Sequence, residues 1–348
     1  MEVKAQETSK QNGQAETDVV YREIQCIFSW VDSLDKNALM RNLKKYNLNP
    51  TGSLESLRKR LKTFLKKKKL ASANILCSDI KTLYPYYVVL DFEATCNEVN
   101  PTDYPHEIIE FPAVLVNTEK LMIVDQFQAF VKPVINPELS PFCKTLTGIS
   151  QEQVDAASEF PEVLEQFERW LAKHKLGTKN KYAMVTDGPW DMGRFLYGQC
   201  ILSNIPYPYF GKKWVNLRKC FSSFYKCERL RLQLMLDKLG IEFTGHPHCG
   251  LDDATNIAHL LIRMIKDGAA VDINERISLR YKLDPPAPTH TDENTANASN
   301  KSSWPVKPLY TEALTRTYSQ ALIDKQRDTD SMASLKADLQ RHHIQTTS

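Results

Sequence analysis

Two carboxylates close an apolar strand. The run Tyr86-Tyr87-Val88-Val89-Leu90 is aromatic and β-branched, the composition of a buried strand, and it passes directly into Asp91-Phe92-Glu93-Ala94-Thr95. Residues two apart in a strand face the same way. Asp91 and Glu93 therefore converge where water compensates them poorly unless a cation does so. Hard oxygen ligands in this arrangement suit Mg2+ or Mn2+. The pair by itself is a common pattern, and a strand end facing solvent explains it equally.

The flanking pattern predicts an α/β domain around a mixed sheet. Strands are expected over 108–116 and 121–131, with a turn near Asn117-Thr118, and again over 182–186. Helical spacing occurs over 160–171, with Val163, Leu164, Phe167, Trp170 and Leu171 on one side, and over 230–239 and 254–265. A hydrophobic share of 42% among 348 residues is enough for a packed core.

Upstream, Leu34, Leu39 and Leu43, a break at Leu48-Asn49-Pro50-Thr51-Gly52, then Leu54, Leu57, Leu61 and Leu65 predict a helical hairpin. Its charge is lopsided. From Lys36 to Lys69 there are twelve Lys or Arg and one acid, Glu55, so the rest of a chain of net charge +3 stands at −8. Such asymmetry suggests a short anion-binding element on an acidic body. The expected boundaries are a disordered polar arm at 1–25, the hairpin at 30–70, a linker at 71–84, the α/β domain at 85–283 and a low-complexity tail at 284–348, with a weak helical pattern between Leu309 and Leu339. The eight cysteines form no CxxC pair and no zinc-like spacing. The first twenty residues lack the apolar core of a secretory signal. No apolar run reaches the roughly 20 residues of a membrane helix. A cytosolic or nuclear chain with reduced thiols is expected.

Two more acidic elements bear on the strand-end pair. In Thr186-Asp187-Gly188-Pro189-Trp190-Asp191, Asp191 starts a helix, where capping is an alternative to metal binding. Asp187 could compete for the metal, although its place before Gly188-Pro189 favours a turn. In His248-Cys249-Gly250-Leu251-Asp252-Asp253, Asp253 falls in the first turn of a helix and His248 lies on the loop before it. An imidazole there can take a proton from water near neutral pH. His246 is an equally available surface histidine, and adjacent Asp252 and Asp253 cannot both point at one place.

In this order and spacing the residues resemble the DEDDh branch of the DnaQ-like 3′–5′ exonucleases, over about 200 residues from Tyr86 to Leu283. Asp91 and Glu93 match the first motif, Asp191 the second, and His248 with Asp253 the third. The hairpin resembles a SAP domain through Leu48, Gly52, Leu57 and Arg60-Leu61.

The resemblance implies an RNase H-like mixed sheet flanked by helices, preceded by the small SAP module, and a metal-dependent exoribonuclease that releases 5′-mononucleotides. It implies two Mg2+ ions, for which Mn2+ can substitute, with Asp91 bridging them. Glu93 and Asp253 would complete the first ion's shell, Asp191 would hold the second, and His248 would deprotonate the attacking water. Phe142 and Trp190 are candidates for stacking on the terminal base, with Glu93 and His248 beside it; the alternative is ordinary core aromatics. Arg58, Lys59, Arg60, Lys62, Lys66, Lys67, Lys68 and Lys69 are the expected phosphate contacts. Lys66–Lys69 also reads as a nuclear-import signal or a solvated helix end. The SAP-bearing members imply action on histone-mRNA stem-loops, small interfering RNA duplexes and ribosomal RNA 3′ ends. They also imply a stem-loop-binding protein and ribosomal subunits as partners, and residence in cytoplasm and nucleus, including the nucleolus. A DNA exonuclease and a non-catalytic RNA-binding adaptor are the alternatives, since only 2′-hydroxyl contacts tell RNA from DNA.

Overall fold

Three helices precede the sheet. The computed structural model describes residues 2–73, 83–101 and 104–277, with side chains described from Asp18 onward. Most of the expected linker, the tail and the helical pattern beyond Leu309 lie outside these residues. The first helix, α1 (Glu2–Ser33), corrects the expected disordered arm. Ile24, Ile27 and Val31 recur at helical spacing near its end, and Ile24 and Val31 are buried. That stripe straddles residue 25, so the polar composition read before it was separated from the apolar face that folds it. The expected hairpin forms as α2 (Lys36–Lys45) and α3 (Leu54–Ser72), capped by Asp35 and Ser53. Leu39, Leu43, Leu57 and Leu61 close a small core with Val31. Lys62–Asp32 and Lys69–Glu23 ion pairs, each 2.6 Å, tie α3 to α1.

The sheet begins with β1 (Tyr86–Leu90), β2 (Glu93–Ala94), β3 (Ile108–Asn117) and β4 (Met122–Phe130). β3 pairs antiparallel with β4 on one edge. On its other edge it pairs first with β1 (Leu90 opposite Ala113) and then with β2 (Glu93 opposite Glu110). β1 and β2 are thus one line of chain with a kink at Asp91-Phe92. Helices α4 (Pro141–Thr147), α5 (Gln151–Asp155) and α6 (Phe160–Lys173) follow, then β5 (Tyr182–Thr186), parallel to β1. A π-helical turn, Asp191–Leu196, runs into α7 (Tyr197–Leu202). β6 (Lys213–Asn216), α8 (Leu217–Tyr225), α9 (Leu232–Leu239), α10 (Gly250–Lys266) and β7 (Glu275–Arg276) complete the domain. Across the sheet the order is β4, β3, β1, β5, β6, β7.

Alternation along β1 builds both cores. Tyr87 and Val89 join Val185, Leu217 and the Ala254, Ile257, Ala258 and Leu261 face of α10. Val88 and Leu90 join Phe111, Met184 and the Phe160, Val163 and Phe167 face of α6. The expected strands and long helices are present to within a few residues. β6 and β7, four and two residues long, carry too little pattern to be seen in the sequence.

Candidate active site

The carboxyl end of β1 lies where the sheet changes direction, with antiparallel β3 on one side and parallel β5 on the other. Ligands in α/β sheets collect at such switch points. Asp91 sits in the kink. Burial pushes its carboxyl well above the ordinary range, and the charges of Asp191, Asp253, Glu93 and Asp187 push it further. Asp191 is buried, and its Oδ1 accepts the Phe92 N–H at 3.0 Å, so the π-turn is clipped to the kink.

The third element arrives on α10. His248 takes the left-handed backbone conformation (φ 67°), and its N–H donates to Asp253 Oδ2 at 2.8 Å. Its side chain is exposed, whereas Asp253 is buried. Burial raises the Asp253 carboxyl to about 7 against the His248 hydrogen bond, and the charges of Asp187, Asp252 and Glu110 raise it too. Asp252 turns elsewhere, accepting the His246 N–H at 2.8 Å. One ligand atom from each of Glu93, His248 and Asp253 lies within 4.8 Å of the other two. Crowded, partly desolvated carboxylates of this kind fit divalent cations, which remove the repulsion.

Two acids that the sequence reading passed over hold this arrangement. Glu110, 1% exposed, accepts the Gly250 N–H (3.0 Å) and Leu251 N–H (3.3 Å), the first amides of α10, and the Gln128 amide at 2.8 Å. It supplies from β3 the cap that Cys249 does not, and so sets the start of the helix that carries Asp253. Glu107, also buried, accepts the backbone N–H groups of Val134, Ile135 and Asn136, fixing the approach to α4. The available signal was two acids inside an otherwise apolar run, His106–Val116.

The Exonuclease (RNase_T) family profile matches residues 88–261, half of the chain. The human 3′–5′ exoribonuclease 1 is 47% identical over 263 residues, 75% of each chain. The chain belongs to the RNase_T exonuclease family. It is a 3′–5′ exoribonuclease, of a family that works with divalent metal ions. The nuclease domain of 3′hExo, a DEDDh family member solved bound to rAMP, superposes with a TM-score of 0.56 at 52% identity, over 56% of this chain and 99% of that one. A structure of histone mRNA stem-loop recognition by 3′-exonuclease gives a TM-score of 0.55 at 52% identity, covering 56% and 88% of the two chains.

In this exonuclease neither stacking candidate is a core aromatic. Phe142 is half-buried on α4, whose Ser140 cap also donates to the Cys96 carbonyl at 2.6 Å, beyond β2. Trp190 is half-buried, with the Arg194 guanidinium 4.5 Å from its ring centroid. The basic residues of α3 separate into classes. Lys66, Lys67 and Lys68 are exposed, and Lys68 lies 5.2 Å from the Tyr46 ring. Lys59, half-buried, lies over Phe224, and Arg58 donates to the Leu34 carbonyl. Lys62 and Lys69 are engaged by α1.

Arg60 requires a correction. It is 3% exposed, bonded in parallel to Asp267 (2.5 and 2.8 Å) and to the Asn49 and Thr51 carbonyls (2.5 and 2.9 Å). Its guanidinium is spent on the junction between α3 and α10 and is turned away from solvent. Helical spacing places Arg60 beside Leu57 and Leu61 on the inward face of α3, a position that a count of charges does not register.

Proposed function

We propose that the exonuclease removes nucleotides from structured RNA 3′ ends with two Mg2+ ions held by Asp91, Glu93, Asp191 and Asp253. The observation that carries this reading is the convergence of Glu93, His248 and Asp253 on one point beside Asp91. When bound, divalent ions supply an activated water and stabilise charge on the leaving oxygen. The chain's own residues do the rest. His248, exposed on its loop, takes the proton of the attacking water, while the Asp253 carboxylate holds the loop through the His248 N–H. Phe142 and Trp190, both half-buried, are the side chains that seat the terminal base in this reading.

The helical module serves as a SAP domain. Its outward Lys66, Lys67 and Lys68, with Arg58, Lys59, Lys62 and Lys69 at the margins, grip the RNA backbone without reading sequence. Similarity to proteins that include one studied on a histone mRNA stem-loop supports stem-loops as substrates. Small interfering RNA duplexes and ribosomal RNA 3′ ends, a stem-loop-binding protein and ribosomal subunits as partners, and a cytoplasmic, nuclear and nucleolar distribution complete the reading. The exposed Lys66–Lys68 run suits nuclear import.

The test is mononucleotide release from 3′-labelled stem-loop RNA and matched DNA, with Mg2+ or EDTA. Mg2+-dependent release from RNA is expected, with Asp91→Asn losing release while keeping RNA binding. Faster release from DNA would move the function to DNA ends.

A further inference from the structure

The strand-end cluster contains a fifth carboxylate that the assignment above leaves unused. Asp187 follows β5 as Asp91 follows β1. Val185 and Val89 are paired neighbours in the parallel ladder, and the two aspartates lie two residues beyond them. By alternation both fall on the sheet face that Val89 and Val185 share with α10, the helix of Asp253. Asp187 is 8% exposed. Its charge is felt by both Asp91 and Asp253.

Its two oxygens have different surroundings. Oδ2 accepts from the Arg218 guanidinium, with Nε at 2.9 Å, and the Asp187 carbonyl accepts the Arg218 N–H at 3.2 Å. The start of α8 thus fixes the residue from one side. Oδ1 is buried and has no hydrogen-bond partner among the described residues. A buried carboxylate oxygen without a donor is costly, and such groups in native proteins have a reason. Turn formation does not supply one here, since no turn amide reaches that oxygen.

We infer that Asp187 is a positioning residue for the metal site: its free Oδ1 accepts a hydrogen bond from water carried by the ion that Asp91 and Asp253 hold, and Arg218 fixes its aim. The inference rests on the metal-site reading above. Arg218 neutralises one negative charge, so a fifth acid can stand in the cluster without joining the direct ligands. Partners of this outer kind orient what the ligands bind, and their loss typically weakens metal binding about 10–100-fold.

The experiment is calorimetric titration of Mn2+ into the full chain, with thermal melts of the same proteins in EDTA. Asp187→Asn is expected to weaken Mn2+ binding about tenfold while the metal-free melting temperature holds or rises. The double variant Asp187→Asn/Arg218→Gln leaves the net charge unchanged and no ion unpaired. It should show the same weakening, and it is the protein to read if the single variant does not fold. Mn2+ affinity within about twofold of wild type in the variants that fold, with a lower metal-free melting temperature, would reduce the pair to a structural ion bridge and overturn the proposal. A wild type that binds Mn2+ no better than Asp91→Asn would overturn the metal site itself, and this proposal with it.

Discussion

At the scale of single residues, the site is a set of carboxylates kept closer together than they would choose. Asp253 holds its proton up to about 7 in the folded chain, against 3.8 for an ordinary aspartate. Between those values the folded state binds more protons than the unfolded one, so stability falls as pH rises. Without metal, the wild type should therefore lose melting temperature relative to Asp253→Asn between about pH 4 and pH 7. A divalent ion binds the ionised form, so the gain on adding Mg2+ should grow over the same interval; melts in EDTA and in Mg2+ measure both. That Asp91, Glu93, Asp191, His248 and Asp253 lie near one another was legible because each sits at a strand end or in or just before the first turn of a helix, where local pattern shows the neighbours. Glu107 and Glu110 were not, because their partners lie 27 to 29 and 140 to 141 residues away in the chain.

At the scale of elements, the decisive contact is the start of α10 against the kink between β1 and β2. A Cβ on Gly250 would stand 2.7 Å from the Asp91 carbonyl and 3.0 Å from both Glu110 Oε2 and Pro112. Two of those three neighbours are backbone or a locked ring, so they cannot swing aside. Gly250→Ala should cost about 1–3 kcal/mol of stability by overpacking. Because Asp253 rides on the displaced helix, turnover should fall more than RNA affinity; denaturant titration beside kcat and KM checks this. Long amphipathic elements such as α6 and α10 were readable from apolar spacing alone. The π-turn was not, since its register depends on Asp191 reaching the Phe92 amide across the sheet.

At the scale of the whole domain, the helical module and the nuclease are joined by more than a covalent linker. Besides Arg60 on Asp267, the Ser53 N–H donates to the Lys238 carbonyl at 2.8 Å and the Ser56 hydroxyl donates to the same carbonyl at 3.1 Å. Removing one partner of a buried, hydrogen-bonded pair costs about 3–5 kcal/mol. Arg60→Ala should lose stability on that order, in urea denaturation of the full chain. Lys67→Ala, on the exposed face, should leave stability within about 0.5 kcal/mol and instead reduce the salt dependence of RNA binding by about one counterion. The sequence shows two similar cations; only the fold separates the buried bolt from the exposed lysine.

The bolt has a consequence for what the enzyme leaves behind. With α3 gripping RNA as proposed, a hand clamped to the blade at a set span can shorten a strand only until the free end no longer reaches the edge. Digestion of a long 3′ tail should therefore end in a narrow band of product lengths, a ruler reading built into the junction at Arg60 and Asp267.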